Sequence, residues 1–307
     1  MQKDILPWYI GVADVQRFAL FGSNGKMRCP TWDLPAGSPV IGGSCPDATA
    51  GQTVVEPEKR YGALRSDRRS LPVLTPGLGV AQPADERAAI CQQCYALEGS
   101  YPSPHVQVGE ILRFWWSRSM LAEGRGEEWV ETMVRAIGAS NIPLTRQGIR
   151  PIRVHSAGDF FSPGYAEASM EVANRIWELE LRHGHREPEI RFWAPTRTWA
   201  ARGFDWSRIA SQLRNSNMVV RPSSYHVDDP APGALAPGWP MGATSVINDH
   251  KRHGDERYDW DCLTYAIKMR GGGDLAPSCE DAAAPDGRRG CRACWTDPHL
   301  RINYTTH

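Results

Sequence analysis

Eight cysteines give this chain its most distinctive chemistry, and they fall into two sets with nothing between them. Cys262, Cys279, Cys291 and Cys294 lie near the carboxyl end, spaced C-x16-C-x11-C-x2-C. A two-residue spacer lets both thiolates of a tight turn face one ion, and Gly290 permits the close backbone approach such turns need. Zinc would close a tetrahedral four-sulfur site there, with His299 or His307 able to replace one cysteine; an iron–sulfur cluster uses the same ligands. Free buried thiols and a redox disulfide are the plainer readings. The amino set is looser. Cys45 follows Ser44, a stretch over 51–86 rich in Pro, Arg, Gly and Asp intervenes, and Cys91-Gln92-Gln93-Cys94 closes the set. Cys45, Cys91 and Cys94 supply three thiolates, with Cys29 available as a fourth. Three ligands around an open iron make a reactive [4Fe-4S] cluster, whereas four make a storage or structural site.

A second group of reactive side chains follows short apolar runs. Arg153-Val154-His155-Ser156-Ala157-Gly158-Asp159 is one such place, Thr196-Arg197 another, Arg221-Pro222-Ser223 a third and Asn248 a fourth. Asp159 is suited to accept a proton or hold a base edge, Arg197 or Arg221 to bind an anionic group, and His155 to shuttle a proton. Arg153, Thr196, Ser223 and Asn248 complete the expected substrate-binding wall. Each has a duller reading: Gly158-Asp159 is a common turn pair, and Thr196-Arg197 is equally a helix cap beside a solvated cation.

The elements that must position these residues follow from periodicity. Val106, Ile111, Trp115, Trp116 and Met120 recur at three- and four-residue intervals, and Glu127 to Ala139 forms a second helix led by acidic residues. The aromatic residues there belong to a core, and Arg113 and Arg118 are expected to snorkel to the surface. From residue 150 apolar runs alternate with amphipathic stretches, the pattern of a parallel sheet with crossover helices. Strands are predicted over 152–155, 190–194, 218–221 and 243–247, with helices over 163–182, capped by Ser162, and 204–213. An α/β fold follows, either a parallel (β/α) barrel or partial barrel or a doubly wound sheet, and ligands bind such sheets beyond the carboxyl ends of the strands. The chain divides into a cysteine-containing segment over 1–96, a (β/α) core over 97–260 and a cysteine-rich segment over 261–307.

Composition bounds the rest. At 307 residues, 41% hydrophobic and 23% charged, the chain is neither disordered, collagen-like nor a coiled coil. No apolar run approaches the roughly 18 residues that span a bilayer. The amino end carries Lys3, Asp4 and Pro7 instead of a signal peptide's apolar core, so a cytoplasmic setting with reduced thiols and no membrane partner is expected. Its 35 basic and 35 acidic residues cancel, so net charge gives no case for a polyanionic partner, although a local patch would escape that average. Only five basic residues are lysine, and the 30 arginines suit phosphate or carboxylate as readily as they reflect a GC-rich code.

Taken together, Leu34-Pro35, Ser44-Cys45-Pro46, Cys91-x2-Cys94-Tyr95-Ala96, the tract from Arg153 to Phe160, Phe192-Trp193-Ala194-Pro195-Thr196-Arg197 and Cys291-x2-Cys294-Trp295 resemble a phage protein family named for a gene 88 product. The likeness spans most of residues 30–296 and implies a phage or mobile-element context, hence a host cytoplasm, more than a reaction. The long stretch between Cys45 and Cys91 looks like an insertion relative to that family. A weaker likeness joins Cys-x2-Cys-Tyr-Ala and the βα repeats to radical SAM proteins, although their usual C-x3-C-x2-C spacing is missing. That likeness implies a [4Fe-4S] cluster on Cys45, Cys91 and Cys94, with S-adenosylmethionine on the open iron and the strand-tip residues orienting both.

Three functions therefore compete. One is a metal-cluster enzyme that modifies a nucleotide or nucleic-acid base. Another is a zinc-containing barrel that exchanges or hydrolyses a base with Asp159 as nucleophile or base, although the aspartate-serine-glycine-glycine tract of such enzymes is absent. The third is a zinc-stabilised module that binds nucleic acid without catalysis.

Overall fold

The computed structural model describes residues 21–24, 27, 29–37, 43–46, 96, 104–140, 142–201, 203–215, 217–224, 245–248, 259–262, 279, 282, 284–288, 290–297 and 299–305. Four strands, β2 (Cys29–Trp32), β3 (Arg150–Val154), β4 (Ile190–Thr196) and β5 (Met218–Pro222), form a parallel sheet in chain order, edged by the antiparallel β1 (Gly22–Asn24). The register sets Thr31 beside Arg153, Arg153 beside Trp193 and Thr196 beside Pro222. Parallel neighbours need crossovers, and helices supply them. α1 (Pro104–Ala122) and α2 (Gly126–Ala139) lead from β2 to β3, α3 (Pro163–Arg182) joins β3 to β4, and α4 (Trp206–Ser211) joins β4 to β5.

Local chemistry explains these bounds. The Ser162 hydroxyl accepts from the Tyr165 N–H at 3.2 Å and Pro163 opens α3, so an N–H that would lack a partner is satisfied where the helix starts. Asp205 caps the shorter α4 through the Arg208 N–H at 3.1 Å. Glu127 and Glu128 sit in the first turn of α2, where they favour the positive end of the helix dipole.

Period-two alternation gives the sheet two buried faces. Trp32, Ile152, Val154, Phe192, Ala194, Met218 and Val220 face the helices, which pack side by side in the order α1, α2, α3, α4. Burying an aliphatic or aromatic side chain of this kind contributes about 1.5–3 kcal/mol. Trp32, Trp116, Trp129 and Tyr165 meet edge to face or tilted, with ring centroids 5.6 to 6.2 Å apart, behind the ends of β2 and β3. The opposite face carries Cys29, Arg153, Trp193 and Arg221, and the carboxyl segment packs on it through α5 (Ala293–Thr296), which contacts β4 and β5. A second, parallel sheet holds β6 (Ser245–Asn248), β8 (Ile302–Thr305) and β7 (Trp260–Asp261) in that order.

One expectation changes. The described strands form two sheets and no closed barrel, because β6, β7 and β8 pair with one another instead of continuing from β5. The amino segment contributes β2 as an inner strand of the main sheet. Among the described residues no helix is long and apolar enough to cross a membrane.

Candidate functional site at the strand ends

Asp159 stands at the centre of the described chemistry. The β3 chain leaves its strand at His155, whose backbone is left-handed at φ 63°, and turns through Gly158 at φ 78°. A non-glycine residue in that region stores strain, and such strain gathers at functional sites. Gly158 is required sterically as well: a Cβ there would lie 2.7 Å from both Leu34 Cβ and the Leu34 carbonyl oxygen and would overlap the Ser44 hydroxyl.

Asp159 is 7% exposed, and its carboxylate faces three donors. Oδ1 accepts from the Thr196 hydroxyl and the Phe160 N–H, both at 2.7 Å, and Oδ2 from the Arg197 N–H at 2.8 Å. Burial pushes its pKa up to about 6, and these donors, with the Arg197 charge, keep it from rising further. A carboxyl group that titrates near neutrality is well placed to exchange a proton. Thr198 extends the network through a hydroxyl contact of 2.8 Å to Thr196. Arg197 spans the next tip, its Nε donating to the Ser224 carbonyl at 3.0 Å. Ser223 contributes its carbonyl, which accepts from Trp199 Nε1 at 2.9 Å.

His155 is 2% exposed, and burial together with the Arg153 charge depresses its pKa to about 3, so the ring is neutral. Nε2 lies 3.1 Å from the Tyr165 hydroxyl, which accepts from Trp32 Nε1 at 2.7 Å, while Nδ1 has no hydrogen-bond partner among the described residues. The loop is held by Asp33, which the sequence reading passed over. Its Oδ1 accepts from the Ser156 N–H at 2.5 Å, and its Oδ2 from the Thr31 hydroxyl at 2.6 Å. Arg113 is buried, not snorkelling: its Nε donates to the Asp33 carbonyl at 2.7 Å. Asp33 directly precedes Leu34-Pro35, so its place in that tract was the available signal.

Cys45 belongs to the same end of the sheet. Ser44 accepts from the Asp159 N–H at 3.2 Å and donates to the Pro35 carbonyl at 2.9 Å, which fixes the Ser44–Cys45 turn on the β3 loop. Cys91 and Cys94 lie outside the described residues. Other expected contacts separate from the site. Arg153 and Arg221 occupy the strand parity that faces the carboxyl segment: Arg153 stacks 4.7 Å over Trp193, and Arg221 donates to the carbonyls of Ala293 at 3.1 Å, Leu300 at 2.6 Å and Asp297. Arg221 therefore clamps the tail. Asn248 ends β6 in the second sheet, paired with Thr305. A cavity of about 590 Å³ opens between Ile149, Glu189, Arg191 and Asp286, at the amino ends of β3 and β4 and so away from Asp159. The strand-tip site rests on its hydrogen bonds instead.

Cys29, a possible fourth ligand of the amino set, lies in a buried cluster on the tail face against which Cys279 and Cys294 pack. Cys262 lies at the end of β7, its N–H donating to the Asn303 carbonyl at 2.9 Å. Among the described residues no group of three or more histidine, cysteine or acidic side chains is placed to hold a metal ion.

The fold and these contacts define an α/β protein with a buried, hydrogen-bonded carboxyl group at the carboxyl ends of a parallel sheet. Its family model is that of Gene product 88, which matches residues 15–297, and the chain belongs to this phage gene-88-product family. Comparison with curated proteins and with solved structures gives no match.

Proposed function

We propose that the strand ends form the active site of a metal-cluster enzyme acting on a nucleotide or nucleic-acid base. One observation carries this reading: the Ser44–Cys45 turn is bonded to the Asp159 loop, bringing a metal-type thiol and a carboxyl group titrating near neutrality to the same end of the sheet. On this reading the chain order β2-β3-β4-β5, which never doubles back, is the first part of a partial (β/α) barrel. Cys45, Cys91 and Cys94 would hold a [4Fe-4S] cluster, and S-adenosylmethionine on it would supply radical chemistry when bound. The chain's own residues bind and orient the substrate. Asp159 receives a proton from the base edge or holds it by hydrogen bond, and Thr196 and the Arg197 N–H keep its two oxygens in place. The Arg197 guanidinium offers positive charge for a phosphate, and neutral His155 presents Nδ1 as a polar contact.

The test needs no known substrate. Protein purified without oxygen and given dithionite and S-adenosylmethionine should cleave it slowly, Cys45→Ser should abolish cleavage, and Asp159→Asn should keep it. Absence of cleavage in the wild-type protein would contradict the reading. The second reading, zinc-dependent base exchange, draws on the same Asp159 carboxyl group. It expects zinc alone, with exchange of a labelled base that Asp159→Asn abolishes.

A further inference from the structure

We infer that Cys29, Cys279, Cys291 and Cys294 form one zinc site that ties the carboxyl segment to β2. The spacing of the last four cysteines groups Cys262 with the other three, but the fold cuts the set differently. Cys29 lies on the face of the main sheet that the carboxyl segment covers, and it shares a buried cluster with Cys279, Cys294, Trp193 and Trp295. The Cys279 sulfur is near enough to act electrostatically on Cys29, Cys291 and Cys294 alike, so it is the hub of the four. Cys291 and Cys294 are brought together by the two-residue spacer at the start of α5. Gly290, at φ 90°, and Cys291 both donate to the Ala282 carbonyl, which fixes the turn that presents them. Cys294 Sγ also lies 2.8 Å from the Tyr304 hydroxyl, the kind of outer partner that orients a thiolate ligand. Cys262 sits on the β7–β8 ladder, where its sulfur acts on Tyr304.

Charge points the same way. Zinc with four thiolates is a net dianion, costly to bury unless cations surround it. Burial raises the pKa of these thiols, and three buried guanidinium groups oppose it: Arg153 and Arg292 on Cys29, Arg292 also on Cys291, and Arg221 on Cys294. Arg153 stacks on Trp193 and Arg292, 5.5 Å from the ring, on Trp295, which keeps both charges in an apolar wall beside the sulfurs. No three possible ligands among the described residues stand at metal-holding distances, so on this inference loading draws the four sulfurs inward. Because Cys29 and the last three cysteines lie at opposite ends of the sequence, metal bound here closes a very long loop and ties the tail to the sheet.

This inference does not rest on the proposed activity, and its test reads a different metal. Zinc is measured per chain in the purified full-length protein, in Cys29→Ser and in Cys262→Ser. The expected result is about one zinc in the wild type and in Cys262→Ser, and a loss of roughly tenfold or more in Cys29→Ser. Zinc absent from the wild type, or lost from Cys262→Ser and kept by Cys29→Ser, would overturn it. Should Cys29→Ser fail to fold, wild-type protein is treated with a thiol alkylating reagent before and after zinc removal by a chelator, and the labelled peptides are mapped. Cys29, Cys279, Cys291 and Cys294 should become reactive together as zinc leaves. Cys29 labelling that ignores zinc would refute the assignment. Loss of iron from the amino set changes neither readout, so the two ideas fail separately.

Discussion

Replacing Gly158 by alanine tests whether the Ser44–Cys45 turn is seated on the Asp159 loop. The residue holds φ 78°, where an L side chain costs about 1–2 kcal/mol. The added Cβ would also meet Leu34 Cβ and the Leu34 carbonyl oxygen at 2.7 Å, along with the Ser44 hydroxyl. Leu34 cannot retreat freely, since its N–H donates to the Ala157 carbonyl at 3.1 Å and so ties it to the same loop. Overpacking of this kind adds about 1–3 kcal/mol, giving a total on the order of 2–5 kcal/mol. Gly148 supplies the control, because it has φ 72° but nothing within 4 Å of its added Cβ, leaving only the backbone strain. Urea unfolding of wild type, Gly148→Ala and Gly158→Ala should place the last well below the second. Part of that gap should close in a Ser44→Ala background, because the two substitutions share a contact and are not additive. Equal losses in Gly148→Ala and Gly158→Ala would refute the seating of the Ser44–Cys45 turn on the Asp159 loop.

Three further outcomes follow from the same geometry. The Asp159 pKa, raised to about 6, makes this group's contribution to stability full below about pH 4 and lost as pH rises to about 6, by on the order of 3 kcal/mol; the wild-type stability–pH curve minus that of Asp159→Asn should show this fall, and a flat difference would contradict it. His155 pulls the opposite way, since its depressed pKa gives stability that is present above about pH 6.5 and lost as pH falls toward about 3; its ring resonances should hold their shifts from about pH 8 to about pH 5, and titration near 6.5 would show the ring is not buried as described. Arg221→Lys cannot reproduce a fork that reaches several carbonyls at once, so limited proteolysis should cut within 279–305 well before the sheet, and unchanged cleavage would argue against the clamp.

What the sequence disclosed was set by signal length. The helix over 163–182 is found at Pro163–Arg182 because Ser162, Pro163 and a long apolar period all agree. The strands from 150 onward fall within a few residues of expectation, since continuous apolar runs such as Phe192-Trp193-Ala194 fit burial on both faces. β1 and β2 escaped notice. They have three and four residues, too short for a period to register, and Pro30 argues against a strand. Missing β2 hid Asp33, and with it the means by which the Asp159 loop is fixed. It also hid the neighbourhood of Cys29, whose partners are set by strand parity and lie some 250 residues on, a relation no local spacing carries. Arg153 and Arg221 were assigned to the tips because they stand next to tip residues in sequence. On a strand the side chain one position away points to the other face, and there both meet the tail.

The metal content of protein purified and analysed without oxygen reaches the central claim most directly. If Cys45, Cys91 and Cys94 hold the proposed cluster, the wild-type chain should carry about four irons with matching sulfide and brown charge-transfer absorption, all lost in Cys45→Ser. A colourless wild-type protein that holds zinc and no iron would contradict the account.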